Sequence, residues 1–281
     1  MMNRWEISFE KEENFEWKDI IIMIDWWRIC TRESKKWRPK KWLKWKWFKW
    51  VWREPKCFVI WELKDGKLSK KKPFYDWEIC SAEEMYEILE LYLSYGKIKW
   101  AKSVSIAWDW AKWIWKYTKE ILLKLWVKNE KITEVLDYFH WVEHISIFTD
   151  NLNKKKKAKK QLFNRLKKLL WKGKTEELLK IMWEEKEYRN WWLYQREINY
   201  FTKHKGRISY AKYRKEKKPC WSWTIESMIR RVVNLRLKWP STFWKKENAN
   251  KALFLRSQLL SWRWNIFLAN LLSVNLKLQG A

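Results

Sequence analysis

Residues 19–25 read DIIIMID, a continuous apolar run closed at each end by a carboxylate. That pattern suits a strand buried on both faces. Lys56–Leu63 (KCFVIWEL) predicts a second strand. Asp65-Gly66 is a hairpin turn signal, and Lys67–Tyr75 is expected to return as a third strand. Ser81, with Glu84 three residues on, forms a capping box. The helix it opens is expected to run to about Tyr95, with Met85, Ile88, Leu89 and Tyr92 on one face, and to end at Gly96. Ser103–Ala107 predicts a fourth strand, about Ala111 to Leu125 a helix, and Ile132–Leu136 a fifth strand.

The pattern then turns helical. Residues 150–215 are polar, with one stripe at Leu162, Leu166, Leu169 and Leu170 and a second at Tyr188, Trp191, Trp192, Leu193, Ile198 and Tyr200. Lys154–Lys160 is a basic run, read as a solvated face that could also hold phosphates. Further on, Ile225, Met228, Ile229, Val232 and Val233 recur at helical spacing, and Pro240 stops that helix. Another helix is expected from about Glu247 to Leu260. Residues 1–17 show no clear period and read as a linker or arm.

Charge narrows the function. The chain of 281 residues carries 62 Lys+Arg against 33 Asp+Glu, a net +29. A polyanionic partner follows, most simply nucleic acid, with an anionic membrane surface as the second candidate. No apolar run is long enough to span a bilayer; the best, Ile266–Val274, has nine residues. Charged residues crowd the first twenty positions, so no secretory signal is expected. Cys30, Cys57, Cys80 and Cys220 are widely spaced without a CxxC, and read as reduced cysteines of a cytoplasmic protein.

Arg28, Arg32, Lys35, Lys36, Arg38, Lys40, Lys41, Lys44, Lys46 and Lys49 form a basic stretch interleaved with Trp37, Trp42, Trp45, Trp47 and Trp50. Cations with stacking rings suit single-stranded nucleic acid, and cations on a flexible loop grip phosphates. Three carboxylates stand out. Asp25 ends the first strand, Asp109 follows the fourth, and Glu226 opens the late basic helix beside Arg230 and Arg231. Two have a plain alternative: a turn residue for Asp25, a helix-start acid paired with Arg230 for Glu226. His140 and His144 lie one helical turn apart, but no third zinc ligand is evident.

Tryptophan and glycine are out of balance, 29 against 5, where an average chain of this length has about 20 glycines. Many Trp sit where a turn is expected, as at Trp26-Trp27, Trp108-Asp109-Trp110 and Trp221-Ser222-Trp223. Some bacterial lineages read UGA as glycine, and decoding such a gene with UGA as Trp produces this pattern. A truly Trp-rich chain is the other reading.

The stretch Trp221–Trp264, with Glu226, a basic run, Phe243-Trp244 and Arg263-Trp264, resembles the C-terminal catalytic helix of DDE transposases from bacterial insertion sequences of the mutator-like group. With glycine in place of tryptophan, IDWWR becomes IDGGR and IAWDWAKWIW becomes IAGDGAKWIW, similar to that family's first and second catalytic Asp motifs. Asp137-Tyr138-Phe139-His140 matches its Cys/Asp-x-x-His element.

The resemblance implies an α/β, RNase H-like fold: a mixed five-stranded sheet flanked by helices, with a helical insertion before the last catalytic helix. It implies a core over 18–150, the insertion over 151–215, the Glu-bearing part over 216–265 and a tail over 266–281. It implies Mg²⁺ or Mn²⁺ held by Asp25, Asp109 and Glu226, with Asp137 and His140 as accessory residues. DNA, as transposon ends and target, would be the partner, held by Arg28, the Lys35–Lys49 stretch, Arg230 and Arg231. Self-association, a nucleoid-associated location, no membrane partner and a missing N-terminal DNA-binding region are expected by the same analogy. A non-enzymatic basic DNA binder and a peripheral membrane protein are the competing readings.

Overall fold

Five consecutive apolar side chains, Ile20 to Ile24, are all buried. They sit in β1 (Asp19–Trp26), the central strand of the main sheet. The computed structural model describes residues 14–34, 48–71, 73–108, 112–220, 225, 227, 229–238, 242 and 244–279.

A strand reverses side every residue, so β1 feeds two cores. Ile20, Ile22 and Ile24 join one, and Ile21 and Met23 the other. β4 (Lys56–Lys64) lies antiparallel to β1 on one side. β7 (Ser103–Trp108) lies parallel to β1 on the other, and β8 (Ile132–Leu136) parallel to β7. The far edge of β4 is occupied by β5 (Lys67–Leu68) and β6 (Phe74–Glu78) in turn. The third strand expected over Lys67–Tyr75 is therefore two short strands, and the main sheet counts six strands rather than five. Trp61 explains the break: its indole N–H donates to the Ser69 and Lys71 carbonyls, which draws the connection away from the ladder. The order β5/β6–β4–β1–β7–β8 makes a mixed sheet compatible with an RNase H-like fold.

Between β1 and β4 the chain forms a second sheet, β2 (Ile29–Ser34) with β3 (Phe48–Arg53). The basic stretch, read as a stacking patch or a flexible loop with no strand assigned to it, has strands at both described ends. Arg32 N–H also donates to the Trp244 carbonyl, tying this hairpin to the late part of the chain.

Helices cover both faces. α1 (Ala82–Tyr95) has the predicted capping box at Ser81 and Glu84 and packs with α2 (Lys112–Lys124) over the face bearing Ile22 and Phe58. α3 (Tyr138–Asp150), α4 (Lys156–Trp171), α5 (Thr175–Glu184), α6 (Trp191–His204) and α7 (Tyr210–Lys215) extend that same core. The first expected stripe is buried at Leu166, Leu169 and Leu170. In the second, Trp191 and Trp192 are exposed; Tyr194, Ile198 and Phe201 are the buried apolar side chains of α6. The opposite face receives a π-helical turn (Arg230–Asn234), α8 (Leu235–Leu237) and α9 (Lys246–Leu260). α10 (Trp264–Gln279) follows, where a tail was expected. Of the expected arm over 1–17, residues 1–13 lie outside the described residues, and Phe15 packs on the core: its ring is buried against Phe74, with centroids 5.3 Å apart, and its N–H donates to the Gly96 carbonyl. No described helix is long and apolar enough to cross a membrane.

The β4–β5 turn has positive φ at both Asp65 (52°) and Gly66 (77°), as a tight hairpin requires. A Cβ on Gly66 would lie 2.7 Å from the Lys217 carbonyl oxygen. Gly66→Ala therefore combines backbone strain with a clash against main chain, and should cost about 1–3 kcal/mol in urea denaturation. An unchanged midpoint would mean that Lys217 yields freely.

Candidate functional site

β1, β7 and β8 run parallel, so their C-terminal ends share one end of the sheet. Asp25 stands there, half-buried, with its Oδ1 accepting the Trp26 N–H at 2.7 Å. Across the ladder, the Cys57 thiol donates to the Asp25 carbonyl at 3.3 Å. Burial, with the Asp25 charge adding to it, holds that thiol well above its ordinary pKa, so it stays a neutral donor.

The β1–β7 ladder ends at Met23↔Ala107. In sequence Asp25 is two residues past Met23, and Asp109 two past Ala107. Asp109 and Glu226 lie outside the described residues, as do Lys35, Lys36, Arg38, Lys40, Lys41, Lys44 and Lys46. Among the described residues, no group of three or more His, Cys, Asp or Glu is placed to hold a metal ion.

The segment around Glu226 is anchored by its apolar residues. Ile225, Ile229, Val232, Val233 and Leu237 are buried with Ile21, Met23 and Val59. Arg230 and Arg231 are exposed. The Leu235 N–H reaches back to the Arg230 carbonyl, the wide i→i+5 bond of a π turn, a form common at functional sites. Lys238 places its ammonium 4.6 Å from the Trp27 ring, which brings the end of this segment beside the end of β1.

The β2–β3 hairpin presents Arg28, Arg32 and Lys49 on its surface together with Trp50 and Trp52. Arg28 pairs with Glu54 at 3.6 Å and lies 5.9 Å from the Trp52 ring. Lys49 and Arg53 both reach Glu33. The Lys49 hydrogen bond is the main reason that the Glu33 carboxyl sits below its ordinary value.

Asp137 and His140 act in the packing of α3. Asp137 is the N-cap, its Oδ1 accepting the Phe139 N–H at 2.6 Å and the His140 N–H at 3.1 Å. His140 stands 3.2 Å from His144, ring nitrogen to ring nitrogen. His144 meets the fully buried Glu197 at 2.5 Å, and the Arg196 guanidinium donates to the other Glu197 oxygen at 2.8 and 2.6 Å. Sequence reasoning missed Glu197. The signal was present: it lies three residues after Tyr194 and four before Phe201, an acid inside an apolar helical stripe.

No protein-family model and no curated protein matches the chain. A solved structure, the Drosophila P element transposase strand transfer complex, aligns with 94% of this chain and 53% of its own at 14% identity and a TM-score of 0.26. The chain thus spans about half the length of that protein.

Burial pushes the Glu197 carboxyl up, but the His144 and Arg196 hydrogen bonds outweigh it and hold the pKa below the usual value. Its contribution to stability is present above about pH 4.3, the ordinary Glu value, and is lost as pH falls through the lower folded value. Denaturation curves from pH 7 to about pH 3 should show this loss, and Glu197→Gln should flatten it. At neutral pH, His144→Ala should cost about 2–3 kcal/mol, since Arg196 still pairs with the buried carboxylate.

Proposed function

We propose that the chain is the catalytic part of a DDE transposase, cutting DNA strands and joining them to a target. One observation carries the reading. The parallel β1–β7 ladder stops at Met23↔Ala107, each partner two residues before an aspartate in sequence, in a sheet whose order is compatible with an RNase H-like fold. The Glu226-bearing segment packs its apolar side on that same sheet, and the net charge of +29 suits a polyanionic substrate.

In this proposal Asp25, Asp109 and Glu226 hold Mg²⁺ or Mn²⁺; hard oxygen donors at a strand end fit those ions. Bound there, the metal would activate a water or a 3′-hydroxyl and stabilise the leaving oxygen of a phosphodiester. The protein's own part is positional. β1, held between β4 and β7, fixes the Asp25 backbone, and the Cys57 thiol steadies its carbonyl. Arg28, Arg32, Lys49, Arg230 and Arg231 are exposed cations suited to DNA phosphates; the other cations of the basic stretch are assigned the same role. Transposon ends and target DNA would be the partners, and self-association is expected.

The test uses duplex DNA carrying the sequences that flank the gene. Strand cleavage should require Mg²⁺ or Mn²⁺. Asp25→Ala, Asp109→Ala and Glu226→Ala should each reduce it by more than about 100-fold, since even outer partners of a metal cost about 10–100-fold. DNA affinity should persist in all three. Cleavage that survives Asp109→Ala, or DNA binding with no cleavage by the unaltered chain, would favour the non-enzymatic binder. Arg230→Gln and Arg231→Gln should each reduce the salt slope of DNA binding by about one counterion.

A further inference from the structure

Six described residues other than glycine have positive φ, and three of them are tryptophans: Trp17 at 60°, Trp126 at 64° and Trp262 at 59°. Tryptophan makes up 29 of 281 residues, about a tenth of the chain, so this half share is several times its due. The left-handed region crowds any Cβ against the following carbonyl, and a bulky residue there is an outlier. Burial gives no return at these places. The three side chains are 78%, 76% and 73% exposed.

The hydrogen bonds identify what two of the positions require. After α2, the Val127 N–H donates to the Leu122 carbonyl and the Trp126 N–H to the Leu123 carbonyl. After α9, the Arg263 N–H donates to the Gln258 carbonyl and the Trp262 N–H to the Leu259 carbonyl. This paired 6→1 and 5→2 closure is the Schellman motif, whose left-handed residue is usually glycine. The chain holds its own reference. After α4, Lys174 donates to Leu169 and Gly173 to Leu170, with Gly173 at φ 69°. Trp126 and Trp262 stand where Gly173 stands; after α7 the same closure is filled by Lys217 at φ 53°, an unbranched side chain instead of an indole. Other tryptophans are different: Trp141 is fully buried, its ring centroid 4.3 Å from that of Phe201.

We infer that the protein made in its native host carries glycine at 126 and 262, from UGA codons that the host reads as glycine. Trp17, exposed and left-handed, belongs to the same group. The shortage of glycine across the chain has the same source. The inference does not rest on the transposase reading. It bears on it, because Trp26 and Trp27 adjoin Asp25, and each ring replaced by hydrogen would open an approach to that carboxylate.

Two measurements decide it. The gene should show TGA at codons 126 and 262, and mass spectrometry of peptides from the native host should show glycine there. TGG at both codons, or tryptophan in those peptides, overturns the inference. Independently, a recombinant chain carrying Trp126→Gly and Trp262→Gly should melt several degrees above the parent, and Gly173→Trp should melt below it. A double variant that melts no higher than the parent counts against the inference.

Discussion

Everything in this molecule hangs on one strand that has no solvent face. β1 buries Ile20 through Ile24, alternately into two cores, and its two edges are filled by β4 and β7. Five such side chains removed from water are worth on the order of 10 kcal/mol gross, before conformational entropy is subtracted. A strand so constrained cannot slip by one residue without exchanging its whole side-chain set between cores. The position of Asp25 at its end is therefore fixed by burial along the entire strand.

The two faces are built differently. One is covered by sequence-local helices, α1 and α2, and then by α3 to α7, which share its core instead of forming their own. The other waits for residues two hundred positions away: Ile225, Ile229, Val232 and Val233 close over Ile21 and Met23. The π turn lies in that late segment, with Val232 and Val233 packed inward and Arg230 and Arg231 left at the surface. Packing and surface charge are thus served by one short stretch.

Two buried acids of the helical region are braced by hydrogen bonds. Glu197 is taken fully out of water only because His144 and Arg196 meet both of its oxygens. Asp137 at the start of α3 satisfies two backbone donors that the helix itself leaves open. The His144–Glu197 contact joins α3 to α6, and Asp137 opens α3 directly after β8 ends at Leu136.

Much of this was legible from residue order alone. The apolar run at 19–25, the Asp65-Gly66 turn, the Ser81 capping box and the strands at 103 and 132 are local signals, since each depends on neighbours within a few positions. The basic stretch hid two strands because Ile29–Ser34 and Phe48–Arg53 are stabilised by pairing with each other across a long gap. The break between β5 and β6 depends on the Trp61 indole reaching two carbonyls, and the burial of Phe15 on a cleft beside Gly96 and Phe74. Sequence by itself determined the strands at 19, 56, 103 and 132, the helix at 82 and where a carboxylate ends β1, because periodicity and capping are short-range. Only the tertiary structure decided that β1 pairs parallel with β7, that the late segment closes the second face, and that left-handed backbone falls on Trp126 and Trp262. Those outcomes rest on contacts between distant residues, which no local pattern encodes.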